Sequence, residues 1–301
     1  MADSDLIPAE VRARLKGLRL ASRRISVSHG VGQHHSRSRG AGMEFAQYRA
    51  YEPGDEPRQI DWKLFARSDK FFVRESERDS PLTIWVLLDA TASMAQTDAG
   101  RPGWSRLHAA KAQAACVLEV ACRQGDRFGL IAVNAEGLTM VNAGLGLRHR
   151  DQCLHALAQV QAKGHWPAPD ACHALWERMR ANALVLVLSD GFDEGLLQML
   201  ERLSRAGRDI RTVRLLTCEE RDFPFTGGHR FVDVESDESV LTEAPLTRES
   251  YLLEFAAAQK ALDLRLAASG IASVTYVLDE PLDSPLQRLF AQGGTRPREL
   301  P

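Results

Sequence analysis

Long apolar runs, paired-cysteine motifs and a strong net charge are all missing from this 301-residue chain. No stretch of about 18 apolar residues occurs, so the sequence predicts no transmembrane helix. The first residues lack the charged start and apolar centre of a secretory signal peptide, and we therefore expect a cytoplasmic protein. The net charge of −2 gives no general case for specific nucleic-acid binding.

The motifs of familiar enzymes are also missing. The chain has no G-x-S-x-G elbow, no H-E-x-x-H helix and no phosphate-binding P-loop motif. Its five cysteines are odd in number and widely spaced, which argues against a disulfide framework or a zinc knuckle. We predict reduced thiols, no catalytic residues and a protein that is not an enzyme.

The first 40 residues read as a basic N-terminal arm. Residues 11–39 hold eight basic side chains and no acidic one, and Leu15, Leu18 and Leu20 favour a short amphipathic helix. Two interpretations stay open for this arm. It is either solvated, or it contacts an acidic partner, nucleic acid or, peripherally, an anionic membrane surface.

From residue 81 to residue 301, apolar strands and helical segments alternate. The predicted strands are 82–89, 127–134, 137–142, 183–189, 209–217, 229–235 and 273–278. The predicted helices are 105–123, 150–162, 170–181, 194–206 and 248–269. Uniformly apolar strands that alternate with helices indicate an α/β fold, with a mostly parallel central sheet flanked by helices and preceded by an irregular N-terminal segment.

Acids and hydroxyls follow two of the predicted strands. Asp89, Thr91 and Ser93 stand at alternate positions after the first buried strand, and Asp190 follows another about a hundred residues later. In doubly wound α/β folds ligands bind beyond the carboxyl ends of the strands. Carboxylates and hydroxyls suit a hard cation such as Mg²⁺. The alternative is a turn in which Asp89 and Ser93 merely cap the next helix.

This arrangement resembles the metal-ion-dependent adhesion site of von Willebrand factor A-type domains, which carry a D-x-S-x-S loop after their first strand. Asp89, Thr91 and Ser93 match that loop, and Asp190 matches a later aspartate that precedes a glycine. The resemblance covers roughly residues 80–220 and implies a Rossmann-type fold. It also implies that these four residues bind Mg²⁺ or Mn²⁺ and leave one coordination position for a carboxylate of a partner.

The middle loop departs from that family pattern, which places a threonine there. His165 stands about where the threonine is expected, in the segment from Lys163 to Asp170. Water could replace the missing hydroxyl, since Mg²⁺ often keeps several waters; otherwise the site is vestigial. His165 is therefore only an accessory candidate.

Residues 41–80 resemble the signature of the bacterial domain-of-unknown-function 58 family, which reads approximately G-x-E-F-x-x-x-R-x-Y-x-x-G-D-x-x-R-x-I-D-W-x-x-x-A-R. The positions that fit are Glu44, Phe45, Arg49, Tyr51, Gly54, Asp55, Arg58, Ile60, Asp61, Trp62, Ala66 and Arg67. The match of twelve positions at fixed spacing is strong. A degenerate von Willebrand A domain after this segment is what the resemblance implies.

The signature also has a physical interpretation. Its arginines alternate with carboxylates, so bidentate pairs would lock an irregular segment; the alternative is an anion site for phosphate. Trp62 and Phe65 are expected to anchor the segment on the sheet domain.

The family resemblance implies a protein-binding adaptor that works with a MoxR-type AAA+ ATPase in the assembly or maturation of client proteins. Two alternatives stay open: a metal-independent scaffold with a vestigial metal site, and a metal-dependent hydrolase that uses the same sheet edge.

Overall fold

A computed structural model describes residues 6–23, 45–51, 57, 60–76, 82–168, 173–232 and 239–291. The chain divides into two compact units. The small unit is Ser28–Pro81, and the sheet unit comprises Met1–Val27 and Leu82–Pro301. None of the described helices combines the length and the apolar character needed to cross a membrane.

The described chain contains these elements. The helices are α1 (Ala9–Arg14), α2 (Trp62–Ser68), α3 (Arg106–Gln124), α4 (Gly146–Gln159), α5 (His173–Arg178), α6 (Glu194–Arg205), α7 (Cys218–Asp222), α8 (Ala244–Ala268) and α9 (Ser284–Ala291). The strands are β1 (Phe45–Ala50), β2 (Phe72–Ser76), β3 (Thr83–Asp89), β4 (Arg127–Asn134), β5 (Gly137–Gly144), β6 (Leu184–Ser189), β7 (Asp209–Leu216), β8 (Gly228–Val232), β9 (Ser239–Glu243) and β10 (Ala272–Val277). Short 3-10 turns cover Leu15–Gly17 and Ala92–Ala95.

The central sheet has six strands in the order β10-β7-β6-β3-β4-β5. Strand β5 pairs antiparallel with β4, and the other neighbours pair in parallel. Counted along the chain within this sheet, the order reads 6-5-4-1-2-3, which is the strand order of doubly wound sheets. The predicted α/β fold with a mostly parallel sheet is therefore confirmed. The strand order reverses between β3 and β6, and such folds bind ligands at this reversal.

The two faces of the sheet carry separate hydrophobic cores, because successive strand residues point to opposite faces. In β3, Ile84, Val86 and Leu88 belong to one core, and Trp85 and Leu87 belong to the other. The first core is covered by α3, α4, α9 and the N-terminal residues, and the second by α5, α6 and the end of α8. Burial on both faces explains why the strands are almost uniformly apolar.

Helix α3 shows how the sequence positions an element of the site. The Ser105 hydroxyl accepts a hydrogen bond from the backbone N–H of His108 and caps the first turn. Gly125 ends the helix in the left-handed conformation that glycine adopts without strain. The alanine-rich helix is buried along most of its length, so its N-terminus is held firmly at the carboxyl edge of the sheet.

The predicted basic arm is described over residues 6–23, where it contains the helix α1 and packs on the sheet unit instead of extending into solvent. Ile7, Val11 and Leu15 are buried in the first core, so this stretch packs on the sheet unit. The Arg14 guanidinium pairs with the Asp283 carboxylate, and the Arg23 N–H donates to Asp209. This stretch packs on the core because its apolar side chains gain from burial. The long basic side chains of α1 can still reach solvent or an acid from this helix. Residues 24–40 lie outside the described residues.

Some predicted elements have other bounds or partners. The predicted strand 229–235 is β8, which pairs with β9 in a separate two-stranded ribbon and not with the central sheet. Helix α8 begins at Ala244, four residues before the predicted start, and α4 covers 146–159 where 150–162 was expected. The helices α7 and α9 and the strand β9 are additional. Each has eight residues or fewer, which is too short for a periodic pattern to stand out, although α9 places Leu286, Leu289 and Phe290 at helical spacing.

The small unit contains the antiparallel pair β1–β2 and the helix α2. The Asp61 carboxylate caps α2 by accepting the N–H groups of Lys63 and Leu64 at 3.0 Å. Four aromatic rings contact one another in this unit: Tyr51, Trp62, Phe65 and Phe71. Strand β2 pairs with β1 from Phe72 to Ser76.

Candidate functional site

Two acidic strand ends meet at the reversal of strand order. Strands β3 and β6 are parallel neighbours with Leu88 opposite Leu188, so Asp89 and Ser189 leave the sheet side by side. Asp190 follows directly. All three residues are buried. The structure thus brings together the two loops that the sequence singled out.

The Asp89 loop is held by its own side chains. Asp89 Oδ1 accepts hydrogen bonds from the backbone N–H of Thr91 at 3.0 Å and from the Thr91 hydroxyl at 2.8 Å. The hydroxyls of Thr91 and Ser93 lie 3.1 Å apart. The predicted helix-capping alternative does not describe this loop, because Ser105 caps α3 and the 3-10 turn after Thr91 has no side-chain cap.

Ser189 ties the second loop to the first. Its hydroxyl donates to Asp89 Oδ2 at 2.6 Å and accepts the backbone N–H of Gly191 at 2.9 Å. Gly191 has φ of +85°, and an added Cβ would lie 3.1 Å from the Arg214 side chain. Both the backbone conformation and the lack of space therefore favour glycine after Asp190. Sequence reasoning did not assign Ser189 a role at this site.

Arg106 is the main site residue that the sequence analysis missed. Its side chain is only 6% exposed, and it pairs with Asp190 Oδ2 at 3.2 Å and with the Glu220 carboxylate. It also donates to the Ser93 carbonyl at 3.1 Å. A signal was present in the sequence, because an arginine in the first turn opposes the helix dipole and is unfavourable without an acidic partner.

Glu220 belongs to a further acidic layer on α7. Its carboxylate accepts the backbone N–H and hydroxyl of Thr217, which completes a capping box at the start of that helix. Asp98 fixes the same helix by accepting the N–H of Cys218 at 2.8 Å. Glu219 accepts the N–H of Ala99. Helix α7 and the loop after Asp89 therefore form one connected rim.

Burial dominates the electrostatics of the site, and neighbouring carboxylates add to its effect. Burial, together with the neighbouring Asp190 carboxylate, raises the pKa of Asp89 to about 7. Hydrogen bonds from Ser189 and Thr91 oppose this rise and do not cancel it. Burial also raises the pKa of Tyr251 to about 12, with a contribution from Glu220. The site therefore favours additional positive charge even with Arg106 in place.

A cavity of about 540 Å³ opens above these residues. Thr91, Ser93 and Asp190 reach its surface, as does Arg106. The rest of its lining comes from Gln96 after the first-loop 3-10 turn, from the start of α6 and from the segments around α7, β8 and α8. Those further lining residues are Gln96, Phe192, Asp193, Glu194, Thr217, Glu219, Glu220, Phe223, Phe225, Phe231, Val232 and Tyr251.

The middle loop lies beside the Asp89 loop but does not place His165 in the cavity lining. The Ala92 N–H donates to the Gly164 carbonyl at 2.6 Å, and the Lys163 N–H donates to the Ala90 carbonyl at 2.9 Å. His165 is exposed, and the buried Trp166 anchors this loop. The accessory role of His165 stays a prediction without support from its position.

The oxygen donors of the site are of the kind that a hard cation prefers. Two hydroxyls at the cavity surface, backed by two acids in a region of excess negative charge, fit Mg²⁺ or Mn²⁺. Arg106 competes with such an ion for Asp190. In the described part of the chain, no three histidine, cysteine, aspartate or glutamate residues cluster as metal ligands. An ion here would meet the Thr91 and Ser93 hydroxyls and the Asp190 carboxylate at the cavity surface, with Asp89 behind them and water completing its coordination.

The signature residues are only partly described. Tyr51 and Trp62 belong to the aromatic cluster of the small unit, Asp61 caps α2, and Arg67 is exposed on that helix. Glu44, Gly54, Asp55 and Arg58 lie outside the described residues, and Phe45 and Arg49 are described only through their backbone in β1. The proposed arginine–carboxylate lock and the phosphate alternative both stay predictions.

The thiols are consistent with the expected reduced state. Cys116, Cys122, Cys153 and Cys218 are free, and Cys172 lies outside the described residues. Burial raises the pKa of both Cys116 and Cys153 to about 12, which makes these two thiols poor nucleophiles.

Comparison with solved structures gives several similar folds at low identity. The chain is similar to BatB from Bacteroides thetaiotaomicron, with 13% identity, a TM-score of 0.45, and coverage of 70% of this chain and 96% of that one. It is also similar to the SpRpn10 VWA domain, with 13% identity, a TM-score of 0.41, and coverage of 71% and 95%. The assignment of the fold rests on the strand order of the sheet itself.

Sequence comparison gives relatives in mycobacteria and one family. Uncharacterized proteins of Mycobacterium bovis and Mycobacterium tuberculosis are 26% identical over 239 residues, which is 78% of this chain and 74% of those proteins. The pattern of the family described as Protein of unknown function DUF58 matches residues 47–261. That match includes most of the signature segment and both loops of the site. The chain therefore belongs to the DUF58 family.

Proposed function

We propose that this protein is an adaptor that binds another protein at the carboxyl edge of its sheet, with Mg²⁺ or Mn²⁺ held by Asp89, Thr91, Ser93 and Asp190. The observation that carries the proposal is the pair of hydroxyls at the cavity surface, backed by two buried carboxylates. When bound, the ion would offer a coordination position to a carboxylate of the partner.

The chain's own residues would prepare that site. Asp89 orients the Thr91 hydroxyl and the backbone of its loop, and Ser189 fixes Asp89 from the neighbouring strand. Arg106 holds Asp190 and keeps a positive charge beside it. Because these groups are buried and hydrogen-bonded, their positions are set before a partner arrives, which lowers the entropy cost of binding.

The partner follows from the family resemblance. We propose a MoxR-type AAA+ ATPase together with a client protein whose assembly or maturation the pair assists. The protein-binding role is supported by the cavity and by the charged residues of the Asp89 and Asp190 loops at its base. Among the described residues, the site has no evident nucleophile or base with an orienting partner.

The test is a binding measurement between the full chain and a purified MoxR-type ATPase from the same organism, in Mg²⁺ and in EDTA. We expect binding in Mg²⁺ to be at least tenfold tighter than in EDTA. The double variant Thr91→Ala, Ser93→Ala should lose this difference, because it removes both hydroxyl ligands. Ser250→Ala, an exposed hydroxyl on α8, is the matched control and should bind as the wild type does.

Two outcomes would contradict the proposal in different ways. Equal binding in Mg²⁺ and EDTA, unchanged by the double variant, would show a metal-independent scaffold with a vestigial site. No binding of the ATPase under either condition, with Mn²⁺ bound by the wild type and not by the double variant in calorimetry, would reject the partner and keep the metal site.

A further inference from the structure

The wall of the cavity is aromatic and comes from elements that lie outside the central sheet. Phe223 follows α7, and Tyr251 lies on α8. Phe225 precedes β8, and Phe231 lies within that strand. Phe192 adds a half-exposed ring from the loop after Asp190. Phe223, Phe225, Phe231 and Tyr251 lie outside the floor formed by the Asp89 and Asp190 loops, and Phe192 belongs to the second of these loops.

The rings of this wall support one another. The centroids of Phe223 and Tyr251 are 4.5 Å apart, and those of Phe223 and Phe231 are 5.5 Å apart. Phe225 meets both Phe223 and Phe231 edge-on at 5.1 Å. Phe223 is buried beneath the others, while Phe225, Phe231 and Tyr251 keep part of their surface free. The wall is therefore a fixed platform with accessible π-surface.

Carboxylates surround this platform. The cavity is lined by five acidic residues and one basic residue; the acids are Asp190, Asp193, Glu194, Glu219 and Glu220, and the base is Arg106. Arg106 already pairs with two of the acids, and Arg265 pairs with Glu194 from the rim. The remaining charge is negative.

One carboxylate oxygen of this acidic group, on Glu219, lacks a hydrogen-bond donor among the described residues. Its Oε1 accepts the Ala99 N–H, but its Oε2 is buried and has no hydrogen-bond partner in the part of the chain that the structure describes. A buried carboxylate oxygen without a donor is costly, so a donor from outside the chain would lower the free energy. Glu219 lines the same cavity as the aromatic wall.

We propose that the cavity receives a cationic side chain, arginine or lysine, of the protein partner. The inference rests on the proposed function and adds the chemistry of the partner. The cation would lie against the exposed surface of Phe225, Phe231 or Tyr251 and donate to Glu219. Aromatic faces with adjacent carboxylates are the surroundings that favour a desolvated guanidinium or ammonium group.

An anionic occupant fits less well, because the single cation of the lining is committed. Both terminal nitrogens of Arg106 are bound to carboxylates, and the three further acids of the described lining, Asp193, Glu194 and Glu219, would repel a negative group in this part of the cavity. An apolar occupant would cover the rings but leave Glu219 Oε2 buried and unsatisfied. A carboxylate of the partner belongs at the hydroxyls of Thr91 and Ser93, so the partner should present an acid and a base close together.

The experiment uses the full chain in EDTA and three heptapeptides, Gly-Ser-Leu-X-Leu-Ser-Gly, with X as arginine, citrulline or glutamate. Citrulline keeps the shape of arginine without its charge. Binding is followed by NMR titration, which measures weak dissociation constants. We expect the arginine peptide to bind at least tenfold more tightly than the citrulline peptide, and the glutamate peptide to bind most weakly.

Two variants and one control locate the interaction. Glu219→Gln and Phe225→Leu should each weaken the arginine peptide at least fivefold, with the far-ultraviolet circular dichroism spectrum unchanged. Glu254→Gln removes an exposed acid of α8 that does not line the cavity, and it should have no effect. Equal binding of the arginine and citrulline peptides, or tighter binding of the glutamate peptide, would overturn the proposal.

The peptide titration in EDTA tests the cation site separately from the proposed metal site. Arginine-peptide binding in EDTA that survives Thr91→Ala, Ser93→Ala supports the cation site whatever the fate of the metal proposal. Loss of metal dependence in the ATPase assay with intact peptide binding would reject only the proposed function. Equal affinities for the arginine and citrulline peptides in a chain that binds the ATPase in Mg²⁺ would reject only the cation site.

Discussion

The floor and the wall of the cavity have different origins. The floor, Asp89, Thr91, Ser93 and Asp190, stands at the ends of neighbouring strands, and its positions follow from sheet register. The wall comes from the segments around α7, β8 and α8, outside the central sheet. Floor residues are tied to both cores, whereas the wall holds itself together by ring contacts. We therefore expect floor substitutions to change stability and wall substitutions to change mainly recognition.

The largest effect should come from Arg106, where the floor meets α7. Arg106→Ala leaves Asp190 and Glu220 without their common counter-ion, and breaking such a buried pair costs about 3–5 kcal/mol. The free energy of unfolding in urea measures the loss. Arg205→Ala is the control, since the Arg205 side chain is largely exposed and its partner Glu201 keeps a second pair with Arg265. A loss below about 1 kcal/mol for Arg106→Ala would show that the floor is not held in this way.

The next effect is the pH dependence that Asp89 gives to the floor. Its pKa of about 7 in the folded protein lies above the ordinary 3.8, so the fold favours the protonated form. The stability from this group is fully present below about pH 4 and is lost as the pH rises through about 7. Between pH 4 and 8 in EDTA we expect the wild type to lose on the order of 2–4 kcal/mol relative to Asp89→Asn.

The unfolding free energies of both proteins across this pH range provide the measurement. Mg²⁺ at pH 8 should restore part of the loss in the wild type, because a cation favours the ionised carboxylate. Parallel pH profiles for the wild type and Asp89→Asn would show that Asp89 titrates normally, and that the floor carries no excess negative charge.

A smaller effect is expected where the wall touches the floor. The Tyr251 hydroxyl donates to the backbone carbonyl of Glu220 at 3.1 Å, and Tyr251→Phe removes only this bond. The expected cost is about 0.5–1.5 kcal/mol of unfolding free energy. Thermal unfolding with Tyr276→Phe alongside compares it with the buried Tyr276, whose hydroxyl donates to the Glu280 carbonyl. An effect as large as that of Arg106→Ala would make the wall part of the floor's structure.

The smallest effect should occur at Glu194, whose pair with Arg265 lies at the exposed edge of the cavity. Arg265 holds the pKa of Glu194 down to about 2, but the pair is exposed and screened by solvent. Glu194→Gln should therefore change the unfolding free energy at pH 7 by less than about 1 kcal/mol, and by less still in 1 M salt. Unfolding in low and high salt is the check. A large, salt-independent loss would place Glu194 with the buried floor.

Sequence reasoning recovered the floor because its signals are local. The largely apolar runs 82–88 before Asp89 and 184–188 before Ser189 predict buried strands, and parallel strands in one sheet end at one edge. The wall left no comparable signal. Phe223, Phe231 and Tyr251 lie in different parts of the chain, and on helix α8 the exposed leucines Leu246, Leu253 and Leu264 share a face that does not include Tyr251. Periodicity therefore gave no indication of its role.

The sequence by itself determined the doubly wound sheet, the two acidic loops and the family, because strand burial, strand–loop junctions and a spaced signature are written in neighbouring residues. Only the tertiary structure decided that Arg106 neutralises Asp190, that residues 6–23 join the core, and that aromatic residues from α7, β8 and α8 close the cavity. These contacts join residues separated by dozens of positions. The energy of such contacts depends on burial and distance, which no local pattern encodes.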